Sequence, residues 1–197
     1  KALELSMFLS LPASVALIVG SEEIISALFG YGSLDMEAVS NSAKALYYFG
    51  LGLPAFAIIK VFSTFFFANN DTKTPFYISL ISVFLNIFIS LYYFREIGFI
   101  IIPIATSISS WFNSIVLFIF LKNKDLFQFN GIFLIRFFKI LFSSIIMGIF
   151  FKYLISYFEN QLIYDYQFKS IYLIFSALLG LIFYLLISFF IKAFNYK

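Results

Sequence analysis

The chain has 197 residues, of which 62% are apolar and only 12% charged, about half the charged share of an ordinary soluble domain. With a mean hydropathy of +1.00, a soluble fold of this size could not hide its apolar surface, so lipid must be the solvent for much of it. The lack of histidine and cysteine excludes Ser-His, Cys-His and His-metal chemistry, disulfides, thiolate zinc and iron–sulfur clusters. A net charge of +3 is too weak and scattered for a nucleic-acid surface. The 31 phenylalanines fit an AT-rich coding sequence, so single Phe or Ile residues say little about function. Lys1 opens inside an apolar stretch, which reads as a position within a longer polypeptide, and the lead segment is not judged as a signal peptide.

Six apolar runs near the spanning length of about 20 residues follow in chain order. They are Leu3–Gly20, Ala43–Ala68, Pro75–Phe94, Gly98–Leu121, Ile132–Tyr157 and Ser170–Ile191. Stretches such as Phe99-Ile100-Ile101-Ile102 are apolar all round and do not alternate, which argues for helices and against a β-barrel. Between the first two runs, Glu22-Glu23 and Ile24-Ile25-x-x-Leu28-Phe29 predict a short amphipathic interfacial helix broken at Gly30-Tyr31-Gly32. Asp35 is placed to cap the lead into the second run. An ordinary ordered loop is the alternative for this connection.

Charges then orient the spans. One side collects Lys1, Lys73, Lys122, Lys124, Arg136, Lys139, Lys192 and Lys197; the other flanks carry Lys44, Arg95, Lys152 and Lys169. Eight against four puts the first side, with both ends of the chain, in the cytoplasm.

Polar groups inside the spans are few. Gly50, Gly52 and Pro54 interrupt the first half of the second span. They predict either a hinge lining a cavity or a static kink with close packing at the glycines. Lys60 lies about 12 Å from the Ala68 end, too deep to snorkel fully. It reads as a cation facing a hydrophilic cavity and attracting an anion, or as a partial snorkelling anchor. Asn86 and Asn113, with Thr106, Ser107, Ser109, Ser110 and Ser114, read first as interhelical hydrogen-bond glue and second as ligand contacts. Asp71, Thr72, Lys73, Thr74 and Pro75 form a helix-capping turn. The last two spans present Phe, Ile and Leu to lipid or to an acyl or prenyl chain. No phosphate-binding loop, paired carboxylates or nucleophile constellation is present, so neither an enzyme nor a cofactor is expected.

These residues resemble a family. Leu11-Pro12-Ala13, then Ile25-x-x-Leu28-Phe29-Gly30-x-Gly32 followed by Asp35 and Glu37, are similar to the MurJ/MviN lipid II flippases. The strongest match is Gly52-Leu53-Pro54-Ala55-Phe56-x-x-x-Lys60-Val61 with Phe66-Phe67-Ala68-x-x-Asp71-Thr72-Lys73-Thr74-Pro75. The resemblance is strong over residues 10–75 and weak beyond 125. It implies an all-α polytopic membrane protein corresponding to helices nine to fourteen of a fourteen-helix, two-lobe flippase of the multidrug/oligosaccharidyl-lipid/polysaccharide exporter superfamily. Residues 1–124 would be four helices of the C-terminal lobe, and 125–197 two additional helices that help form a groove for the polyprenyl tail.

The resemblance also implies alternating-access transport of lipid II, the undecaprenyl-pyrophosphate-linked peptidoglycan precursor, across the bacterial cytoplasmic membrane. Lys60, Asn86 and Asn113 are the candidate substrate contacts. The partners implied are lipid II, membrane lipids and an N-terminal lobe. The family's cavity arginines belong to its first, second and eighth helices and have no counterpart here, so this chain alone should not flip lipid. The alternatives are a polysaccharide-repeat-unit flippase, a drug/cation antiporter of the same superfamily, or a structural membrane subunit. An antiporter should show an intramembrane carboxylate, and spans two to six have none.

Overall fold

The computed structural model describes residues 1–30, 36–126, 131–163 and 166–193. Every regular element among them is helical: α1 (Ala2–Val19), α2 (Ser21–Phe29), α3 (Met36–Ala68), α4 (Lys73–Ile97), α5 (Ile101–Asn123), α6 (Gly131–Tyr157), α7 (Glu159–Leu162) and α8 (Lys169–Phe190), with a 3-10 turn over Gly98–Ile100. Five stretches are long and apolar enough to cross a membrane. One of them, Lys73–Asn123, has 51 residues, and the 3-10 turn divides it into α4 and α5. Gly98, at φ 73°, takes a backbone conformation that a side chain would strain. Asn86 on α4 bonds Thr106 and Ser109 on α5, while Asn113 on α5 bonds Ser79 on α4. The two helices therefore run antiparallel, and the six predicted spans are six long helices.

One boundary differs markedly from the sequence reading. The second span begins at Met36 rather than Ala43, giving a 33-residue helix of about 50 Å. Its polar start, through Ser40, Asn41 and Ser42, stays helical because Val39 and Ala43 pack on Ile25 of α2. The predicted interfacial segment is α2, ending before Gly30 as expected. Tyr31, Gly32 and Asp35, and with them the proposed cap, lie outside the described residues, as does Lys197.

The helices pack in the order α4, α5, α3, α1, α6, α8. α1 is thus flanked on both sides and contributes to two cores. Met7, Phe8 and Leu11 meet Ile140, Met147, Phe151 and Tyr184 of α6 and α8. Leu3 joins Phe62, Phe66, Ile78, Leu117 and Leu121 of α3, α4 and α5. The α1–α6 approach depends on small residues: a Cβ on Gly148 would lie 2.4 Å from Val15 Cγ1, and one on Gly20 2.7 Å from the Phe151 ring. Without a hydrophobic drive between helices in lipid, such close backbone contact supplies the dispersion that holds them.

The helix ends segregate as alternation demands. The start of α1, the end of α3, the start of α4 and the end of α5 share one core. At the opposite end, α2 packs on α3 through Ile25, and Ser170 of α8 donates to the Ala27 carbonyl of α2 at 2.6 Å.

Candidate functional site

Helix α3 carries Gly50, Gly52, Pro54 and Lys60 of the predicted site, and its geometry begins with a missing donor. Pro54 has no N–H, so the carbonyl four residues earlier, that of Gly50, has no helical partner. Ser14 of α1 donates its hydroxyl to that carbonyl at 2.7 Å. The same solution recurs at Pro12 in α1: the orphaned carbonyl of Phe8 accepts the Tyr184 hydroxyl of α8 at 2.8 Å. Around the Pro54 bend two more α3 carbonyls take a second donor. Trp111 Nε1 donates to Leu51 at 3.0 Å, and the Ser107 hydroxyl donates to Tyr48. The glycines are contact points on both flanks. A Cβ on Gly50 would lie 3.1 Å from Ile18 Cγ1 of α1, and one on Gly52 2.7 Å from Ser107 Oγ of α5.

One and a half turns further along α3, Lys60 is solvent- or lipid-accessible and lines an open hollow of about 400 Å³ with Ala2, Val61, Thr64, Phe65 and Ala68. The Thr64 hydroxyl is turned back to the Lys60 carbonyl at 2.9 Å. Apart from Thr64 the hollow is apolar, and the ammonium is the one charged group among its described lining residues. Asn86 and Asn113 lie elsewhere. Asn86 Nδ2 reaches Thr106 Oγ1 at 3.0 Å and Ser109 Oγ at 3.3 Å, and Asn113 Nδ2 reaches Ser79 Oγ at 3.4 Å. Both sit in the α4–α5 seam and not beside Lys60. Asn113 Oδ1 is buried without a hydrogen-bond partner.

The turn after α3 is built by two devices. Asn70, at φ 57°, lets the Asp71 N–H reach back to the Phe66 carbonyl and its own N–H to Phe67, the paired bonds of a Schellman ending. Asp71 then accepts from the Thr74 N–H at 3.0 Å and the Thr74 hydroxyl at 2.7 Å, capping α4. Lys124, at the end of α5, pairs with Asp71 Oδ2 at 2.5 Å and stands 5.8 Å from the Phe66 ring centroid. The Lys124 hydrogen bond, then those from Thr74, hold the Asp71 carboxyl far below its ordinary value of 3.8. Pro75 is in the first turn of α4, where its missing N–H costs nothing.

The sequence reading passed over three contacts. Arg136 Nη1 of α6 donates to both oxygens of buried Glu4 on α1, at 3.0 and 2.9 Å. Lys169, fully buried at the start of α8, donates to the Gly30 carbonyl at the end of α2 at 2.6 Å. The third is Tyr184 of α8 on the Phe8 carbonyl of α1. Their signal was indirect: a carboxylate in an apolar span and a proline in mid-helix each demand a partner. No cluster of three or more Asp or Glu side chains that could hold a metal occurs among the described residues.

Two apolar hollows lie elsewhere among the described residues. One, of about 190 Å³, lies between α1, α6 and α8 and is lined by Leu9, Pro12, Met147, Leu181 and Tyr184, among others. The other, of about 240 Å³, lies between α1, α3, α5 and α6 around Met7, Phe62, Trp111 and Phe137.

A proline-interrupted, multiply tethered helix with an accessible lysine beyond the proline suits several membrane transporters, and comparison with known proteins decides among them. The family described as lipid II flippase MurJ matches residues 1–173. The chain belongs to the MurJ family of lipid II flippases. It is 39% identical over 118 residues to a probable lipid II flippase MurJ of Rhizobium meliloti, covering 60% of this chain and 22% of that protein. A probable lipid II flippase MurJ of Thermotoga maritima is 35% identical over 143 residues, 73% of this chain and 28% of the relative. A solved structure of lipid II flippase MurJ in an inward closed conformation superposes with a TM-score of 0.78 at 26% identity, over 96% of this chain and 38% of that one. The chain thus spans about a quarter of the length of the curated relatives it matches. Membership, with the long apolar helices, makes the chain part of a multi-pass inner-membrane transport family, not of a family of enzymes.

Proposed function

We propose that this chain is the C-terminal part of a lipid II flippase, acting with an N-terminal lobe to carry the lipid-linked peptidoglycan precursor outward by alternating access. The observation that carries the reading is the MurJ match over residues 1–173 on a backbone that superposes on a lipid II flippase. Residues 1–124 form the lobe and 125–197 the additional pair. Lys60 offers its ammonium to the pyrophosphate; its exposure on a largely apolar hollow supports that role. The side-chain bonds of Asn86 and Asn113 support a smaller part, keeping α4 on α5 and exposing at most one amide face to a substrate. The hollow between α1, α6 and α8 suits a prenyl chain. The transporter performs no covalent chemistry.

Both ends of the chain face the cytoplasm in this reading. Cysteines placed at Asn70 and Glu159, both exposed and at opposite helix ends, should react with an impermeant thiol reagent from opposite sides, Glu159→Cys from outside. The function is tested in cells depleted of their own lipid II flippase. The complete transporter containing this chain should restore outward movement of lipid II. Movement of a polysaccharide repeat-unit lipid instead would favour the other flippase branch.

A further inference from the structure

The bend in α3 carries three side-chain bonds where the chemistry of Pro54 requires one. Only the Gly50 carbonyl is orphaned by the proline, and Ser14 takes it. In a regular helix the Tyr48 and Leu51 carbonyls meet the N–H groups of Gly52 and Ala55, yet each here also accepts a side-chain bond, from Ser107 and Trp111 respectively. The donors come from opposite flanks, α1 on one side and α5 on the other. Between them the two glycines bring both neighbours to within van der Waals contact of the α3 backbone. Lower down, the same helix is tied again to α5, where Lys124 meets Asp71 and the Phe66 ring. Lys60 therefore lies on a segment fastened to α5 at both ends.

We infer that Ser14, Ser107 and Trp111 are positioning residues that make the Pro54 bend a fixed elbow, so that the Lys60-bearing half of α3 moves with α1 and α5 as one body. A proline bend with unsatisfied or water-satisfied carbonyls can open and close, because the exchange costs little. Here a change of bend angle strains bonds to two helices at once, and the buried Ser14 bond to the orphaned Gly50 carbonyl has no water at hand to replace it. Conformational change must then use joints outside this elbow, and Lys60 is delivered by motion of the whole body. Only the consequence for Lys60 rests on the flippase reading; the rigidity of the elbow does not.

The test uses the complete transporter with spin labels at Tyr47→Cys and Phe67→Cys, exposed positions on either side of the bend in a chain without native cysteine. Pulsed EPR should give one narrow distance near 30 Å from the helical rise, unchanged when lipid II is added. Combining Ser14→Ala with Trp111→Phe should broaden it or add a second population. A second distance in the otherwise unaltered protein, or an unchanged narrow distance after both donors are removed, overturns the inference.

Function gives an independent arm. A Cβ on Gly50 would lie 3.3 Å from Leu17 Cβ, close to disulfide range, so Gly50→Cys with Leu17→Cys should crosslink α3 to α1 without removing any of the three donors. The oxidised form should keep most of the lipid II translocation of its reduced form. Loss on oxidation, restored by reductant, would mean that the elbow must open. If neither form nor the parent moves lipid II while the labelled distance stays single, the flippase reading fails and the elbow stands.

Discussion

The two ends of the Lys60-bearing segment of α3 solve the same problem with different chemistry. At the elbow the donors are neutral: two hydroxyls and an indole N–H. At the turn they include an ion pair, Asp71 with Lys124. Position explains the choice. Mid-helix in a stretch apolar enough to cross a membrane, a charge costs far more to bury than a hydroxyl returns. At the membrane edge a carboxylate keeps its hydration and can cap a helix while pairing. Glu4 and Arg136 mark the boundary case: the carboxylate is buried, but near the helix ends and fully paired.

The difference predicts how each end can be broken. Gly52→Leu should have the largest effect, because even a Cβ there lies 2.7 Å from Ser107 Oγ and 3.1 Å from Ser107 Cα. Overpacking of that kind costs about 1–3 kcal/mol, seen as a lower thermal unfolding temperature in detergent. Ser14→Ala should come next, at about 1 kcal/mol. Ser107→Ala should cost less, since in a regular helix the Tyr48 carbonyl also meets the Gly52 N–H. Equal losses for the two serines would refute the orphaned-carbonyl argument.

The turn responds to pH, and the elbow does not. Pairing lowers the folded-state pKa of Asp71 from 3.8, so its contribution is present above that value and disappears as pH falls below it. Wild type and Asp71→Asn should therefore differ at pH 6 and converge in acid, in unfolding curves measured across that range. Because the pair is accessible, the difference should also shrink in high salt. This is the smallest of the expected effects. Ser14→Ala should show the same loss at every pH.

Much of the fold was legible because spanning length is a strong constraint: each of the six apolar runs contains the middle of one long helix. The α2 break was legible from Glu22-Glu23 and the glycine at 30. The early start of α3 was not, since Ser40, Asn41 and Ser42 resemble a loop until Ile25 packs on Val39 and Ala43. The site was legible as a set of demands rather than answers. Pro54 announced that a carbonyl needed a donor, but Ser14 is 36 residues away in sequence, and one serine among many. The Phe8 carbonyl draws on Tyr184, 176 residues distant. Such pairings are fixed by helix packing order, which a single apolar sequence does not encode locally.

Lys60 decides the functional account. It is accessible, is the one charged group among the described lining residues of its hollow, and is held on a segment anchored at both ends. The direct measurement is lipid II translocation by the complete transporter in cells depleted of their own flippase, with membrane abundance measured alongside. Lys60→Met should lower translocation by about tenfold, or 1.4 kcal/mol, at unchanged abundance, and Lys60→Arg should retain part of the activity. Full translocation by Lys60→Met at normal abundance would make the lysine a snorkelling anchor and contradict its role at the substrate's anionic head.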